Sequence, residues 1–175
     1  MTKYLFAKLS IITTIALISV PHIAVAAPEP IQAATEPTIA SLNAALQQNP
    51  QDLDAHLQRG ILHAKLARYL PAIADYTEVI RLDPERAIAY NNRAAAKLNM
   101  KDYRGAALDY SQVLRILPEQ AITYNNRAYA RHQAGDCKGA IADLRIAMGL
   151  FRIYGDNANY QRSLANLKQF QRAKR

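Results

Sequence analysis

One block of sequence repeats along this chain at a fixed period, and it constrains the fold more than any other feature. The segment 87–120, which begins AIAYNNRAAA, is followed directly by the segment 121–154, which begins AITYNNRAYA. Aligned without a gap, the segments 53–86, 87–120 and 121–154 share columns of residue types. A fixed period of this kind is typical of repeat architectures, in which each unit stacks on its neighbours to bury an apolar face.

Small, aromatic and proline residues define the shared columns. The small residues are Gly60/Ala94/Ala128 and Ala72/Ala106/Ala140, the aromatic residues are Tyr90/Tyr124, Tyr69/Tyr103 and Tyr76/Tyr110, and the closing prolines are Pro84 and Pro118. Within each segment one helical pattern ends at about Lys65, Asn99 or Gln133, and a second begins after Arg68, Asp102 or Asp136. Aspartate is a favourable N-cap. Each segment is therefore predicted to be a helix–turn–helix hairpin.

These columns resemble the tetratricopeptide repeat (TPR) family. The resemblance implies an all-α fold, a right-handed α-solenoid of three TPR-like hairpins at 53–86, 87–120 and 121–154. The outer repeats depart from the pattern, as end repeats often do. The departures are His56 in the Tyr90/Tyr124 column, Leu144 in the Tyr76/Tyr110 column, Cys137 in the Tyr69/Tyr103 column and Arg152 in the proline column.

The flanks of the repeats are predicted to be capping helices. Segment 36–52 starts at Glu36-Pro37 and has Ile39, Leu42 and Leu46 at helical spacing. The helical pattern stops at Asn49-Pro50, and Pro50 falls in the proline column. Segment 155–175 places Tyr160, Leu164 and Leu167 on one face, with polar and basic residues between them.

The segment 1–26 has the layout of a secretory signal peptide. Two lysines precede an apolar run, and the triplet Ala24-Val25-Ala26 precedes the expected cleavage site. An uncleaved membrane anchor is the alternative, but the run is short and contains hydroxyl residues. We expect a periplasmic or secreted protein with a linker at 27–35. Cys137 is the only cysteine in the sequence, so no intramolecular disulfide can form.

Charge is concentrated at the C-terminal end. The formal charge of +8 falls to +6 when segment 1–26 is removed, because that segment holds two lysines and no acid. From Arg152 onward, six basic residues accompany one acid. Such a tail can attract anionic membrane or cell-wall material, or only improve solubility. Export makes nucleic acid the least favoured partner.

No catalytic, metal or cofactor motif is present in the sequence. The glycines form neither a phosphate loop nor a dinucleotide fingerprint. His56 and His63 lie two helical turns apart, which does not fit the i, i+4 spacing of a zinc-binding pair, and His132 stands alone. Cys137 is interpreted as a packing residue. We expect a non-enzymatic protein without a cofactor.

Charged residues also recur at the repeat period. Arg59, Arg93 and Arg127 share one column, and Asp75, Asp109 and Asp143 share another. A ladder of partly buried ion pairs is the favoured interpretation, because three matching carboxylates are available. An arginine clamp for an acidic ligand is the alternative.

The first helix of each repeat carries the candidate binding surface. By resemblance, TPR stacks line a concave groove with their first helices and bind a peptide segment or a partner helix there. The predicted partner-binding residues are Gln58, Asn91, Asn92, Asn99, Asn125, Asn126, Tyr129, His132 and Gln133, with apolar contact from Ile61, Ile88, Leu98 and Ile122. Amide side chains donate and accept hydrogen bonds, which suits an extended backbone.

The carboxylate clamp of some TPR domains is only partly matched. Asn92 and Asn126 occupy its amide positions, but Leu57 and Ile122 stand where the family has basic residues. The sequence therefore predicts an exported adaptor or scaffold whose partner is another protein or peptide. The alternative is an envelope-surface accessory protein held by its basic C-terminal tail.

Overall fold

A computed structural model describes residues 37–172 of the chain, and the signal-peptide and linker predictions lie outside this range. Within this range the fold is all-α, with eight helices and no strand. The helices are α1 (Ile39–Gln48), α2 (Leu53–Lys65), α3 (Tyr69–Leu82), α4 (Ala87–Asn99), α5 (Tyr103–Ile116), α6 (Ala121–Gln133), α7 (Cys137–Ile153) and α8 (Asn157–Arg172). Each helix packs against the next one in sequence. The result is a stack of three hairpins with one helix at each end.

Hydrogen bonds from side chains fix several helix starts. Asp102 and Asp136 accept from the backbone N–H groups of Gly105 and Gly139 at 2.9 and 2.8 Å, as their N-cap pattern predicts. The start of α1 differs from the expected Glu36-Pro37, because Thr38 and Ser41 form a reciprocal capping box and the helix begins at Ile39.

The turn inside each hairpin repeats the same backbone conformation. Ala67 and Lys101 have φ of 55° and 61°, and Gly135, at the corresponding place in the third hairpin, has φ of 90°. The backbone N–H group of the following residue bonds back to the helix, for example Asp102 N to Lys97 O at 2.9 Å. This left-handed closure is common at helix C-termini and lets α2, α4 and α6 each reverse into the following helix.

The small-residue columns lie where helices approach most closely. Ala72, Ala106 and Ala140 are fully buried, and so are Ala94 and Ala128. At Gly60 an added Cβ would lie 2.7 Å from the ring of Tyr76, so the first repeat has no room even for alanine. The predicted columns are therefore packing positions.

The C-terminal end departs from the internal repeats. Without a closing proline, α7 continues to Ile153, and Gly155 with φ of 71° then turns the chain into α8. The expected inner face of α8 is only partly buried at Leu164 and Leu167, while Ser163 and Phe170 are the residues that are buried. These two anchors escaped the sequence pattern because one is polar and the other lies near the chain end.

Candidate functional site

The arginine and aspartate columns form a ladder of ion pairs through the stack. Arg93 donates from Nε and Nη2 to both carboxylate oxygens of Asp109, at 2.9 and 2.7 Å. Arg127 binds Asp143 in the same way at 2.9 and 2.7 Å. Asp75 accepts from Arg59 in the first repeat. The aspartates are almost fully buried, and two-point contacts of this kind fix the orientation of both groups.

Each arginine also reaches back to the preceding hairpin or cap. Each arginine donates a further hydrogen bond from Nη1 to a side-chain oxygen. Arg59 donates to Asn43 at 2.8 Å, Arg93 to Thr77 at 3.0 Å and Arg127 to Ser111 at 3.1 Å. These acceptors recur with the repeat period, although their residue types differ from one repeat to the next. The arginines join one structural unit to the previous one. Their hydrogen-bonding capacity is used within the stack, which favours the ion-pair interpretation over a clamp for an acidic ligand.

The surface formed by α2, α4 and α6, called the first-helix surface below, has an open hollow between α2 and α4. It has a volume of about 280 Å³. Asn92 and Asn99 line it from α4, with Ile61 and Lys65 from α2 and Tyr69 from α3. The amide of Asn99 donates to the carbonyl of Ala95 at 2.9 Å. The Asn92 side chain lies in this hollow beside apolar side chains and Lys65.

A second hollow lies between α4 and α6 and has a volume of about 300 Å³. Exposed aliphatic side chains line it, namely Ile88, Leu117 and Ile122, which are 48%, 42% and 59% accessible. Asn91 and Gln120 supply polar groups, and none of the lining residues is charged. This hollow can take an apolar side chain while amides contact a backbone.

The third repeat is different, because α8 packs over part of its first helix. Ser163 donates to the side-chain oxygen of Asn125 at 3.1 Å. The ring of His132 is stacked on Phe170, with centroids 3.7 Å apart. Both predicted binding residues thus contact the C-terminal helix. The Sγ atom of Cys137 also lies 3.8 Å from Nδ1 of His132, a neighbour that the sequence did not indicate.

The remaining predicted residues are accessible to varying extents. Gln58 and Gln133 are exposed, and Asn126 is half-buried. Tyr129 is 46% accessible and meets Tyr103 edge to face, with centroids 6.5 Å apart. The structure brings Asn91, Asn92 and Asn99 to the two hollows, and it brings Asn125 and His132 into contact with α8.

A hollow between α5 and the C-terminal end of α6 was not anticipated. It has a volume of about 460 Å³ and is lined by Ala107 and Leu108 of α5, with Arg131 from α6. Leu108 is 70% accessible. Leu108 has the helical spacing that an apolar residue on a packed face would also have. The sequence pattern therefore could not show that Leu108 is exposed.

Two buried tyrosines have strongly shifted acidity. Burial raises the pKa of Tyr76 to about 12, with a further contribution from the negative charge of Asp75. Burial likewise raises the pKa of Tyr110 to about 12, with Asp109 adding to the effect. Both hydroxyls therefore remain protonated at neutral pH and act as packing groups beside the ion-pair ladder.

The described residues contain no cluster of three or more metal-ligating side chains. Over residues 37–172, no helix has both the length and the apolar character needed to cross a membrane.

No protein-family model and no curated protein sequence matches the chain. Solved structures do match. The Arabidopsis OM64 TPR domain is 26% identical, with 69% of this chain and 94% of that chain covered and a TM-score of 0.60. The second TPR domain of human RPAP3, in complex with an HSP70 peptide, is 24% identical, with coverages of 66% and 92% and a TM-score of 0.59. A fragment of MamA from Desulfovibrio magneticus is 18% identical, with coverages of 77% and 84% and a TM-score of 0.60.

Proposed function

We propose that this chain, whose fold is that of the tetratricopeptide-repeat domains it resembles, is a non-enzymatic adaptor that binds a peptide segment or helix of a partner on its first-helix surface. One observation carries the proposal. The repeated arginines are bonded within the framework, while amide and apolar side chains line the two hollows between α2, α4 and α6, together with Lys65 and Tyr69 in the first of them. The solved structures with this fold support a role in protein interaction, because the second TPR domain of human RPAP3 is in complex with an HSP70 peptide.

The chemistry of the hollows indicates what the partner presents. The hollow between α4 and α6 is uncharged, so it favours an aliphatic side chain over an acidic one. Asn91 and Asn92, on neighbouring positions of α4, are placed to bond the backbone of a bound segment. Leu57 and Ile122 replace the cations of a carboxylate clamp, so an acidic chain terminus is not the expected ligand.

Site-specific photo-crosslinking tests this surface. A photoreactive amino acid is placed at Ile88 or Ile122, and at Leu108 on the second-helix side as an exposed control. We expect one partner to crosslink from positions 88 and 122 and not from 108. The affinity of the purified partner is then measured against an Asn92→Ala/Asn126→Ala/Tyr129→Ala variant whose helicity is unchanged. Crosslinks confined to position 108, or unchanged affinity in the triple variant, would refute the proposal.

Export is the second part of the proposal. Its support is the order of lysines, apolar run and Ala24-Val25-Ala26 triplet in segment 1–26. Expression of the full chain in a bacterial host, followed by fractionation and N-terminal sequencing, tests it. We expect a periplasmic or secreted form that begins at Ala27. An intact N-terminus on the exported protein would indicate an anchor instead.

The basic C-terminal helix supports an alternative function, attachment to an anionic envelope surface. The side of α8 that faces away from the stack exposes Arg162, Lys168 and Arg172 and carries no acid. Vesicles containing anionic lipid are compared with neutral vesicles at two salt concentrations, using the chain and an Arg162→Gln/Lys168→Gln/Arg172→Gln variant. Attachment predicts salt-sensitive binding to anionic vesicles that the variant loses. Equal binding by the variant would exclude this role for α8.

A further inference from the structure

A buried histidine in the first repeat lies between two hydrogen-bond acceptors. His56 is 8% accessible. Its Nδ1 atom is 3.1 Å from Oδ1 of Asp75, and its Nε2 atom is 3.1 Å from the carbonyl oxygen of Pro50. A carboxylate and a carbonyl only accept hydrogen bonds. A neutral imidazole has one N–H and satisfies one of these oxygens, whereas the imidazolium donates to both.

The other two repeats show why a cation belongs at this place. Beside its arginine, Asp109 binds Lys97 Nζ at 2.8 Å, and Asp143 binds Arg131 Nη1 at 2.9 Å. The first repeat has His63 in the column of Lys97 and Arg131, and Nδ1 of His63 is buried without a hydrogen-bond partner. The second partner of Asp75 is instead His56. Of the three second partners, only histidine changes charge near neutral pH.

Few other charged groups face His56. Arg59 on the same helix shares Oδ1 of Asp75, and Tyr76 next to Asp75 on α3 stays neutral because burial raises its pKa to about 12. Helix α1 contains no titratable residue, and the turn before α2 offers the Pro50 carbonyl and the carboxylate of Asp52, which accepts from Ala55 N at 2.9 Å. The charges nearest to His56 are therefore the carboxylate of Asp75 and the guanidinium of Arg59 that shares it.

We propose that doubly protonated His56 fastens the turn between α1 and α2 to the first repeat, and that loss of this proton loosens the N-terminal end of the stack. One bond of the ring holds Asp75 on α3, and the other holds the turn that follows α1. Helix α1 packs mainly on α2, through Leu42 and Leu46. When the ring is neutral, one of its two bonds is lost, and α1 is the element with least other support.

Nitrogen NMR of the full chain gives a direct test. Both ring nitrogens of His56 are expected to show imidazolium shifts at the acid end of a pH series in which the chain stays folded, and a neutral tautomer throughout that series would overturn the proposal. Hydrogen exchange of the α1 amides, corrected for intrinsic chemistry, is expected to accelerate about tenfold over the pH interval in which the imidazolium signal of His56 is lost, because one charge-assisted bond is lost with it. No acceleration would also overturn it.

Two variants separate His56 from the other histidine of α2. His56→Tyr introduces the residue that the second and third repeats have in this column, so the chain is expected to fold and to lose the pH dependence of α1 exchange. His63→Gln is the matched control and is expected to keep it. Loss of the pH dependence in His63→Gln, or its persistence in His56→Tyr, would assign the effect to another group.

Discussion

The second and third repeats share the tetrapeptide YNNR, yet the structure uses it differently in each. In the second repeat, Asn91 and Asn92 border the open hollows of the first-helix surface. In the third, Asn125 accepts a hydrogen bond from Ser163 of α8. Helix α8 follows the third repeat as α6 follows the second, but it brings a serine hydroxyl and the Phe170 ring to the adjoining face. The same motif is therefore candidate binding surface in one place and part of a helix contact in the other.

The largest effect is expected from the ion-pair ladder, which the two repeats have in common. Asp109→Ala and Asp143→Ala should each destabilise the fold by about 4 kcal/mol, because each leaves two cations without their buried partner. Urea unfolding measures both changes. Equal losses would show that the repeats differ only in what covers them. In a double-mutant cycle, additive effects of Arg93→Ala and Asp109→Ala would contradict a pair.

Removing the cover of the third repeat should have the next largest effect. Phe170→Ala deletes a buried ring stacked on His132 and should lower the free energy of unfolding by about 3 kcal/mol. Amides of α6 should then exchange faster than those of α4, which is measured by mass spectrometry. Gln171→Ala, at an exposed position beside it, is the control and should change neither quantity. Unchanged stability in Phe170→Ala would mean that α8 does not cap the stack.

Single amide substitutions should sharpen the comparison with a smaller effect. Asn125→Ala removes one of the two acceptors of the Ser163 hydroxyl, the other being the Asn159 carbonyl at 2.8 Å, and with it the side-chain link from α6 to α8. This change should cost about 1 kcal/mol of stability. Asn91→Ala is expected to change stability by less than about 0.5 kcal/mol and to weaken partner binding instead, because its side chain borders an open hollow. Unfolding and binding measured on both variants check this. The reverse pattern would place the binding surface in the third repeat.

Ionisation of two buried tyrosines should have the smallest effect on stability, because it begins only at alkaline pH. Tyr76 and Tyr110 ionise at about 12 in the folded chain, against 10.0 for an ordinary tyrosine. Because their pKa values are raised on folding, their contribution to stability is complete below about pH 10 and is lost as pH rises towards 12. Tyrosinate absorbance should show Tyr76 and Tyr110 as late-ionising groups, with the pKa of Tyr154 also raised by its hydrogen bond to Glu119. If every tyrosine ionises near pH 10 while the chain remains helical, these rings are not buried as described.

Much of the fold follows from the sequence alone. The period, the small-residue columns and the aspartate caps predicted the three hairpins, and α2, α4 and α6 end at the residues the pattern indicated. The arginine and aspartate columns predicted the ion pairs for the same reason. A repeated contact must satisfy the same geometry in every repeat, so it leaves a periodic trace in the sequence.

The candidate site could be predicted only in part. The sequence placed nine residues on one helical face, but periodicity cannot distinguish an open face from one that a later helix covers. Helix α8 decides this for Asn125 and His132, and the packing of α4 against its neighbours decides it for Asn91 and Asn92. Whether any of the nine contacts a partner stays a prediction.

The sequence by itself determined the repeat, its packing columns and the pairing of its buried charges, because these depend on contacts that recur in every repeat. Only the tertiary structure decided which YNNR stretch borders an open hollow, and where His56 finds its two acceptors. Those features depend on contacts that are made once each at the ends of the stack, and a single contact leaves no periodic signal.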